Sequence, residues 1–114
     1  MVKASYVPGL GDVIDLDFDP QTGREQAKRR PALVMTGRNY NGAAGLAVVC
    51  PVTSVIKPYP FALGVRAKGR EGCVLTDPIK SMDWRARRAQ FYDKAPEAVL
   101  DQTRELLSVL LGMS

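Results

Sequence analysis

The segment GREQAKRRP, residues 23–31, holds four basic residues and one carboxylate, Glu25. The chain contains no histidine, so a general base would have to be Asp, Glu, Lys or Tyr. The serine–histidine and cysteine–histidine nucleophile systems are excluded for the same reason. A carboxylate among cationic groups is therefore the first candidate for chemistry, and the alternative is a solvated loop ordered by ion pairs.

Charged and hydroxyl residues at four places in the sequence make up the candidate site. Each follows a predicted strand or lies in a loop, where a rigid sheet usually presents binding and catalytic side chains. Any one of them alone is best explained as surface charge, so only their joint pattern indicates a function. They are Glu25, Lys28, Arg29 and Arg30 in the first long loop, Thr53, Ser54 and Lys57 after one apolar run, Asp77 and Lys80 after another, and Arg85, Arg87 and Arg88 in WRARRA.

Cleavage of RNA through its own 2′-hydroxyl suits such a set of residues. The substrate carries the nucleophile, so the protein has only to remove its proton, stabilise charge on the phosphorus oxygens and protonate the leaving 5′ oxygen. A carboxylate can accept the first proton, and guanidinium groups can stabilise the charge. This reaction requires neither a metal ion nor histidine.

The sequence shows no pattern typical of a metal or cofactor site. Cys50 and Cys73 lie far apart, and without histidine they cannot complete a usual zinc site, so we expect both to be reduced, buried and structural. No glycine-rich dinucleotide or phosphate-binding motif occurs, and no cofactor is expected. Asp15, Asp17 and Asp19 alternate along one predicted strand, which favours a solvated face over a magnesium site.

Length and charge indicate one small basic domain, residues 1–114. The net charge of +4 and the pI near 9.3 are compatible with a polyanionic partner such as nucleic acid, although many small proteins are mildly basic. No segment approaches the roughly 20 apolar residues that cross a bilayer, and the N-terminus lacks the apolar region of a signal peptide. We therefore expect a cytoplasmic protein with no membrane partner.

Most of the chain is patterned as short strands. Ile14, Leu16 and Phe18 share one face of DVIDLDFD, which predicts a half-buried strand ending before Pro20. The Gly- and Asn-rich segment GRNYNGAAG is predicted to turn. The other predicted strands are PALVMTG, LAVVCPVTS, FALGV, GCVLTD and RARRAQFY, with the basic turn RAKGREG between FALGV and GCVLTD.

The last segment has the apolar spacing of a helix, at about residues 96–111. Pro96 suits its first turn and Gly112 its end, and its apolar stripe predicts core packing or a subunit contact. Five or six short strands and one C-terminal helix predict a mainly-β fold, either a small twisted sheet or a partly open barrel. The connections are too short for βαβ crossovers, so the strands should pair antiparallel.

Four segments occur in a recognisable order: GDVIDLDFDP, GREQAKRRPALV, CPVTS with KPYPF, and GCVLTDPIKSMDWRAR. Together they resemble the MazF/PemK (Kid) toxins of bacterial toxin–antitoxin systems, which are sequence-selective endoribonucleases. The resemblance implies an SH3-like antiparallel barrel of the MazF/CcdB kind, a symmetric homodimer, and metal-independent cleavage of single-stranded RNA to 2′,3′-cyclic phosphate and 5′-hydroxyl ends. It also implies a cognate, MazE-like antitoxin whose acidic C-terminal segment covers the RNA site.

The same resemblance implies roles for individual residues. Arg30 matches a catalytic arginine that stabilises the phosphorane, and Thr53 matches a threonine that hydrogen-bonds the scissile phosphate. Glu25 matches a loop glutamate proposed as the base; the alternatives are a salt-bridge role for Glu25 and a backbone hydrogen bond for the Thr53 hydroxyl. Lys57 is a predicted phosphate contact, with a solvated lysine as the alternative. Asp77 matches an acidic position that is catalytic in some relatives and structural in others, and we favour the structural role here. The remaining predicted RNA contacts are Lys28, Arg29, Ser54, Lys80, Arg85 and Arg87.

The sequence also departs from the family pattern. Many relatives carry His or Thr in place of Arg29, the usual glutamine after Asp77 is Pro78, and Leu75 replaces an arginine that some members use. Trp84, beside three arginines, is predicted to have a structural role. Two other functions stay open: a gyrase poison of the same fold, which would need an aromatic residue at the C-terminus where this chain ends LLGMS, and a non-catalytic nucleic-acid-binding module.

Overall fold

The computed structural model describes residues 6–18, 29–56 and 58–113, in which seven strands form an antiparallel sheet accompanied by two helices. The sheet order is β4-β5-β3-β2-β1-β7, and β6 pairs with β3. The mainly-β, antiparallel fold with a C-terminal helix is confirmed, with more strands than the five or six predicted. In chain order the elements are β1 (Asp12–Asp17), β2 (Arg29–Val34), α1 (Arg38–Ala44), β3 (Leu46–Thr53), β4 (Ala62–Ala67), β5 (Arg70–Leu75), β6 (Lys80–Asp83), β7 (Gln90–Lys94) and α2 (Glu97–Leu110).

The sheet curls into a half-barrel at β3. One edge of β3 pairs with β2. Its other edge pairs with β6 over the first half and then with β5 at Val52 and Thr53. Because two strands share this edge, the sheet divides there and the β4–β5 hairpin folds across toward β7. The Lys68 amide, in the hairpin turn, donates a hydrogen bond of 2.7 Å to Oδ2 of Asp93 on β7.

Apolar side chains cover both faces of β1. Val13 belongs to the core cluster that α2 covers, whereas Ile14 and Leu16 belong to a second cluster on the opposite face, together with Trp84. Full burial of an aliphatic side chain of this size is worth about 1.5–3 kcal/mol. The prediction of a half-buried strand with a solvated aspartate face is therefore wrong, because β1 is a central strand; Asp17 is 7% exposed and ion-paired.

Two local predictions differ from the structure. Residues 84–88 form a turn and Ala89 is not part of a strand, so β7 begins only at Gln90. β6 lies in a segment for which no strand was predicted. The predicted C-terminal helix is α2, and Cys50 and Cys73 are buried free thiols, as expected. Burial raises the pKa of Cys50 to about 12. Within the described residues, neither helix is long and apolar enough to cross a membrane.

The segment predicted as a turn, GRNYNGAAG, forms α1. Gly37 occupies the N-cap, and Gly45 occupies the C-cap with a left-handed φ of 74°. The glycines that indicate a turn therefore mark the two ends of a short helix. An isolated helix of seven residues is not stable in water, so tertiary contacts must hold it.

Asn41 supplies those contacts from the middle of α1. It is fully buried, and its Nδ2 donates hydrogen bonds to the carbonyls of Pro8 (2.8 Å) and Thr36 (2.9 Å). Its Oδ1 accepts a hydrogen bond from the Thr36 hydroxyl at 2.6 Å. Its own carbonyl accepts one from Nε1 of Trp84 at 3.0 Å, so the structural role predicted for Trp84 includes holding this helix.

Replacing Asn41 should destabilise the protein strongly. Asn41→Ala leaves the Pro8 and Thr36 carbonyls buried without their amide donor, and we expect a loss of about 2–4 kcal/mol in the free energy of unfolding. The matched control is Asn39→Ala, since Asn39 is exposed on the same helix and its replacement should cost no more than about 0.5 kcal/mol. Urea unfolding measures both, and equal losses would show that the buried amide network does not hold α1.

Candidate active site

A cleft of about 430 Å³ opens where β2 begins and β3 ends. Part of its surface is apolar, including Val52 and Val65 from the core cluster that α2 covers. Of the candidate residues that the structure describes, Arg29, Arg30, Thr53 and Ser54 line this cleft, whereas Asp77, Lys80, Arg85, Arg87 and Arg88 do not. Glu25, Lys28 and Lys57 lie outside the described residues.

Arg30 and Thr53 are brought together by strand register. β2 and β3 pair with Ala32 opposite Pro51, and the same register, extended by two residues, aligns Arg30 with Thr53. Side chains of opposite residues share a face, with Cβ atoms about 4.5–5.5 Å apart. Arg30 is exposed, lines the cleft and forms no ion pair with another described residue.

The hydroxyl of Thr53 is oriented by the backbone. The amide of Val55 donates a hydrogen bond of 3.1 Å to Oγ1 of Thr53. This is the backbone contact that the sequence allowed as an alternative to phosphate binding, but it uses only one acceptor position of the hydroxyl. The O–H donor remains, so Thr53 can satisfy its own backbone and still donate to a phosphate oxygen. Ser54 follows it along the same cleft wall.

Arg29, beside Arg30 in sequence, is held within the fold. Its Nε and Nη1 lie 3.1 Å from carboxylate oxygens of Asp15 and Asp17, respectively. Its Nη2 donates hydrogen bonds of 2.7 Å to the carbonyls of Asp15 and Arg88. These contacts use four of the five N–H donors of a guanidinium. Arg29 thereby fixes the start of β2, and with it the backbone position of Arg30.

Asp17 connects this contact to the turn at residues 84–88. Its Oδ2 accepts a hydrogen bond of 2.9 Å from Nε of Arg88, and this bond, with the one from Arg29, lowers the pKa of Asp17. Nη1 of Arg87 donates to the carbonyls of Asp17 (3.0 Å) and Phe18 (2.6 Å). The sequence predicted Arg87 as an RNA contact, and the structure places it against the end of β1.

Asp77 also has a partner within the fold. The hydroxyl of Tyr59, in the β3–β4 loop, donates a hydrogen bond to Oδ2 of Asp77, and this contact raises the pKa of Tyr59. The preceding residue, Thr76, donates from its amide (3.0 Å) and its hydroxyl (2.9 Å) to the carbonyl of Phe61. The segment after β5 therefore holds the second half of the β3–β4 loop, whose first half begins at Thr53.

Lys80 and Arg85 lie against aromatic rings. The Lys80 ammonium is 5.4 Å from the ring centroid of Phe18, and Cζ of Arg85 is 4.5 Å from that of Trp84. Both arrangements are cation–π contacts. RNA bound by these two residues would have to extend beyond the cleft.

Three charged or polar residues of the cleft lining are not among the candidates from the sequence: Arg70, Glu71 and Tyr92. RAKGREG was interpreted only as a basic turn, although its arginines differ in their contacts. A two-residue turn at Lys68 and Gly69, both with positive φ, pairs the flanking strands in register, and alternation along that hairpin separates the two faces. That turn signal would have been enough to place Arg70 on the face that carries Val65 and Ala67.

A close backbone approach sets the position of Thr53. A Cβ atom at Gly72 on β5 would overlap the carbonyl oxygen of Thr53 and lie 3.6 Å from Cα of Ser54. Only glycine lets β5 come this near to the end of β3. The free cysteines do not contribute to the cleft lining, and in the described residues no group of three or more His, Cys, Asp or Glu side chains is arranged to hold a metal ion.

Comparison with known proteins identifies the family. Residues 10–111 match the profile of PemK-like, MazF-like toxins of type II toxin–antitoxin systems. The endoribonuclease toxin MazF of Escherichia coli (strain K12) is 39% identical over 94% of this chain and 96% of its own length. The endoribonuclease PemK of Escherichia coli is 30% identical over 89% of this chain and 80% of its own. The chain belongs to the PemK/MazF toxin family, which confirms the resemblance seen in its motifs.

Solved structures agree with this assignment. The crystal structure of MazF from Deinococcus radiodurans has a TM-score of 0.85 and 49% identity, covering 96% of this chain and 100% of that one. A MazE–MazF complex from the same organism has a TM-score of 0.84 and 45% identity, with the same coverage. The half-barrel with its C-terminal helix is thus the fold of MazF.

The Asp17 contacts should make stability depend on acid pH. The folded pKa of Asp17 lies below its unfolded value of about 3.9, so its contribution is present above that value and is lost as the pH falls through the folded pKa. Asp17→Asn should therefore lower the free energy of unfolding at pH 7, and the difference from wild type should shrink below about pH 4. Asp101→Asn on α2, where Asp101 has an exposed partner at 3.9 Å, is the control without an effect. A difference that stays constant with pH would contradict this prediction.

Gly72 offers a test of the backbone approach. Gly72→Ala should push β5 away from Thr53, lower the free energy of unfolding by about 1–3 kcal/mol and shift the amide resonances of Thr53 and Ser54. Gly64→Ala on the adjacent strand is the matched control, because no heavy atom lies within 4 Å of a Cβ placed there. Equal spectra for the two variants would show that β5 does not position Thr53.

Proposed function

We propose that this chain is the toxin of a type II toxin–antitoxin system and acts as a metal-independent endoribonuclease. It cleaves single-stranded RNA at selected sequences and thereby inhibits translation and growth. The observation that carries the proposal is the alignment of Arg30 with Thr53 at the ends of β2 and β3, in one cleft, in a member of this family.

Arg30 and Thr53 are suited to stabilise negative charge at the scissile phosphate. Attack of the 2′-hydroxyl on phosphorus places negative charge on the non-bridging oxygens. The guanidinium of Arg30 and the O–H of Thr53 are donors that can stabilise this charge. The P–O5′ bond then breaks, the 5′ oxygen takes a proton, and the products carry 2′,3′-cyclic phosphate and 5′-hydroxyl ends.

Removal of the 2′-hydroxyl proton is assigned to Glu25. This assignment rests on the motif GREQAKRRP, where cationic neighbours favour the ionised carboxylate that can accept a proton. The same neighbours make Glu25 a weaker base. Glu25 would therefore act on a 2′-hydroxyl that is polarised by the cationic groups around the bound phosphate. Lys28 and Lys57 are proposed phosphate contacts from their positions in the family motifs.

The predicted RNA contacts divide into two groups. Ser54 lines the cleft and is proposed to bind RNA beside Thr53. Arg29 uses four of its donors within the fold, and Nη1 of Arg87 bonds two carbonyls at the end of β1, so we propose that both residues support the site. Contacts from Asp77, Lys80 and Arg85 would belong to RNA that continues beyond the cleft.

Partners and location are proposed from the family. MazF of Deinococcus radiodurans has been crystallised with MazE, and we infer that a cognate antitoxin with an acidic C-terminal segment neutralises this chain. Carboxylates and phosphodiesters are both anionic, so a cationic cleft can bind either one. We also propose a homodimer, in the cytoplasm, where the RNA substrate is found.

Incubation with mixed-sequence single-stranded RNA in excess chelator tests the proposed function. Discrete cuts with 2′,3′-cyclic phosphate ends, read by mass spectrometry, are expected for the wild type. Arg30→Ala should lower kcat by about 10²–10³-fold, the usual cost of losing one donor to transition-state charge. Arg104→Ala is the control, since Arg104 is an exposed residue of α2 outside the cleft lining.

The outcomes separate the alternatives. RNA binding without cleavage would favour a non-catalytic nucleic-acid-binding module, and a gyrase poison would neither cleave RNA nor depend on Arg30. Cleavage that requires a metal ion would contradict the proposed mechanism. A smaller loss in Glu25→Ala than in Arg30→Ala would make Glu25 an orienting residue and not the base.

A further inference from the structure

The β4–β5 hairpin carries two arginines with opposite environments. Arg66 is directly opposite Glu71 in the strand register, and the two form an exposed ion pair of 2.7 Å on one face of the hairpin. Arg70 is opposite Ala67 and therefore lies on the other face, where Ala67 and Val65 are each 7% exposed and line the cleft. The cleft reaches around the end of the hairpin, so that its lining includes Arg70 as well as Arg30 and Thr53.

The charges that line the cleft do not cancel. Among the described lining residues, the charged ones are Arg29, Arg30, Arg70 and Glu71. Arg29 is paired with Asp15 and Asp17, and Glu71 is paired with Arg66. Arg30 and Arg70 form no ion pair with a described residue, so the uncompensated charge of the described lining is two guanidinium groups.

The backbone that carries Arg70 is rigid. Arg70 follows immediately after the turn at Lys68 and Gly69, with φ of 50° and 74°, and this turn is bonded to Asp93 of β7 at 2.7 Å. The two strands pair at every position from Ala62 to Ala67. A guanidinium on such a hairpin loses little backbone entropy when it binds an anion.

We propose that Arg70 binds a second phosphate of the RNA, next to the scissile phosphate held by Arg30 and Thr53. This inference rests on the proposed function and deepens it. Each phosphodiester carries one negative charge, and the described lining presents two uncompensated cations. A cleft of about 430 Å³ falls in the range of sites for drug-sized molecules, so it has room for much more than one phosphate group.

Salt dependence of RNA binding distinguishes one phosphate from two. On a single strand, each phosphate that the protein neutralises adds about 0.7 to the steepness of log K against log salt. The probe is mixed-sequence RNA with 2′-O-methyl groups, which cannot be cleaved, and binding is followed by fluorescence anisotropy. Arg70→Ala should reduce the slope by about 0.7, Arg30→Ala by the same amount, and the double variant by about 1.4.

The controls isolate the charge of Arg70. Arg104→Ala removes an exposed arginine of α2 outside the cleft lining, and it should leave slope and cleavage unchanged. Arg70→Lys keeps the charge and should keep the slope. In cleavage assays, Arg70→Ala should raise KM several-fold with kcat near that of the wild type, in contrast to Arg30→Ala.

Three results would overturn the inference. A double variant whose slope falls by only about 0.7 would place both arginines on one phosphate. A wild-type slope in Arg70→Ala, with RNA still cut, would exclude a phosphate contact and leave the proposed function intact. Wild-type protein that neither binds nor cuts RNA would refute both proposals together.

Discussion

The carboxylate of Asp17 joins three segments of the chain at the edge of the cleft. It receives Arg29 from the start of β2 and Arg88 from the turn before β7, and its side chain is only 10% exposed. A buried carboxylate that loses one partner is costly, because the charge cannot be resolvated. The end of β1, the start of β2 and this turn therefore have to form together. As a result, the backbone of Arg30, the residue after Arg29, is held in a fixed position.

Adjacent arginines take different roles because a strand alternates its faces. Arg29 lies opposite Asp17 and is bound by aspartates, whereas Arg30 lies opposite Leu16 and aligns with Thr53 on its other side. The β4–β5 hairpin repeats this division with Arg66 and Arg70. In both places an ion pair within the fold neutralises one arginine, while the other forms no ion pair with a residue that the structure describes. Two of these four arginines are therefore neutralised within the fold.

The sequence predicted most of the fold and part of the site. Period-two and helical apolar patterns are local, so the strands and α2 could be inferred from them, and family motifs indicated Arg30 and Thr53. The glycines at both ends of α1 predicted a turn. The helix is held by buried hydrogen bonds between Asn41 and Pro8, Thr36 and Trp84, which cannot be inferred from the sequence of the segment itself. The sequence predicts RNA contacts for Arg29 and Arg87 but not their carboxylate and carbonyl partners within the fold, because these groups meet only in the folded chain.

The hydrogen bond from the Val55 amide to the Thr53 hydroxyl affects whether the cleft binds hydrogen-bond acceptors or hydrogen-bond donors. The Thr53 hydroxyl keeps its O–H donor and one acceptor position, whereas the guanidinium groups of Arg30 and Arg70 have donors only. An acceptor-only group therefore finds more partners among these three residues than a group that must donate. Phosphodiesters and ionised carboxylates share this property despite their different shapes. An acidic peptide could therefore compete with RNA because its carboxylates accept hydrogen bonds from the same donors. It would not have to imitate the geometry of a nucleotide.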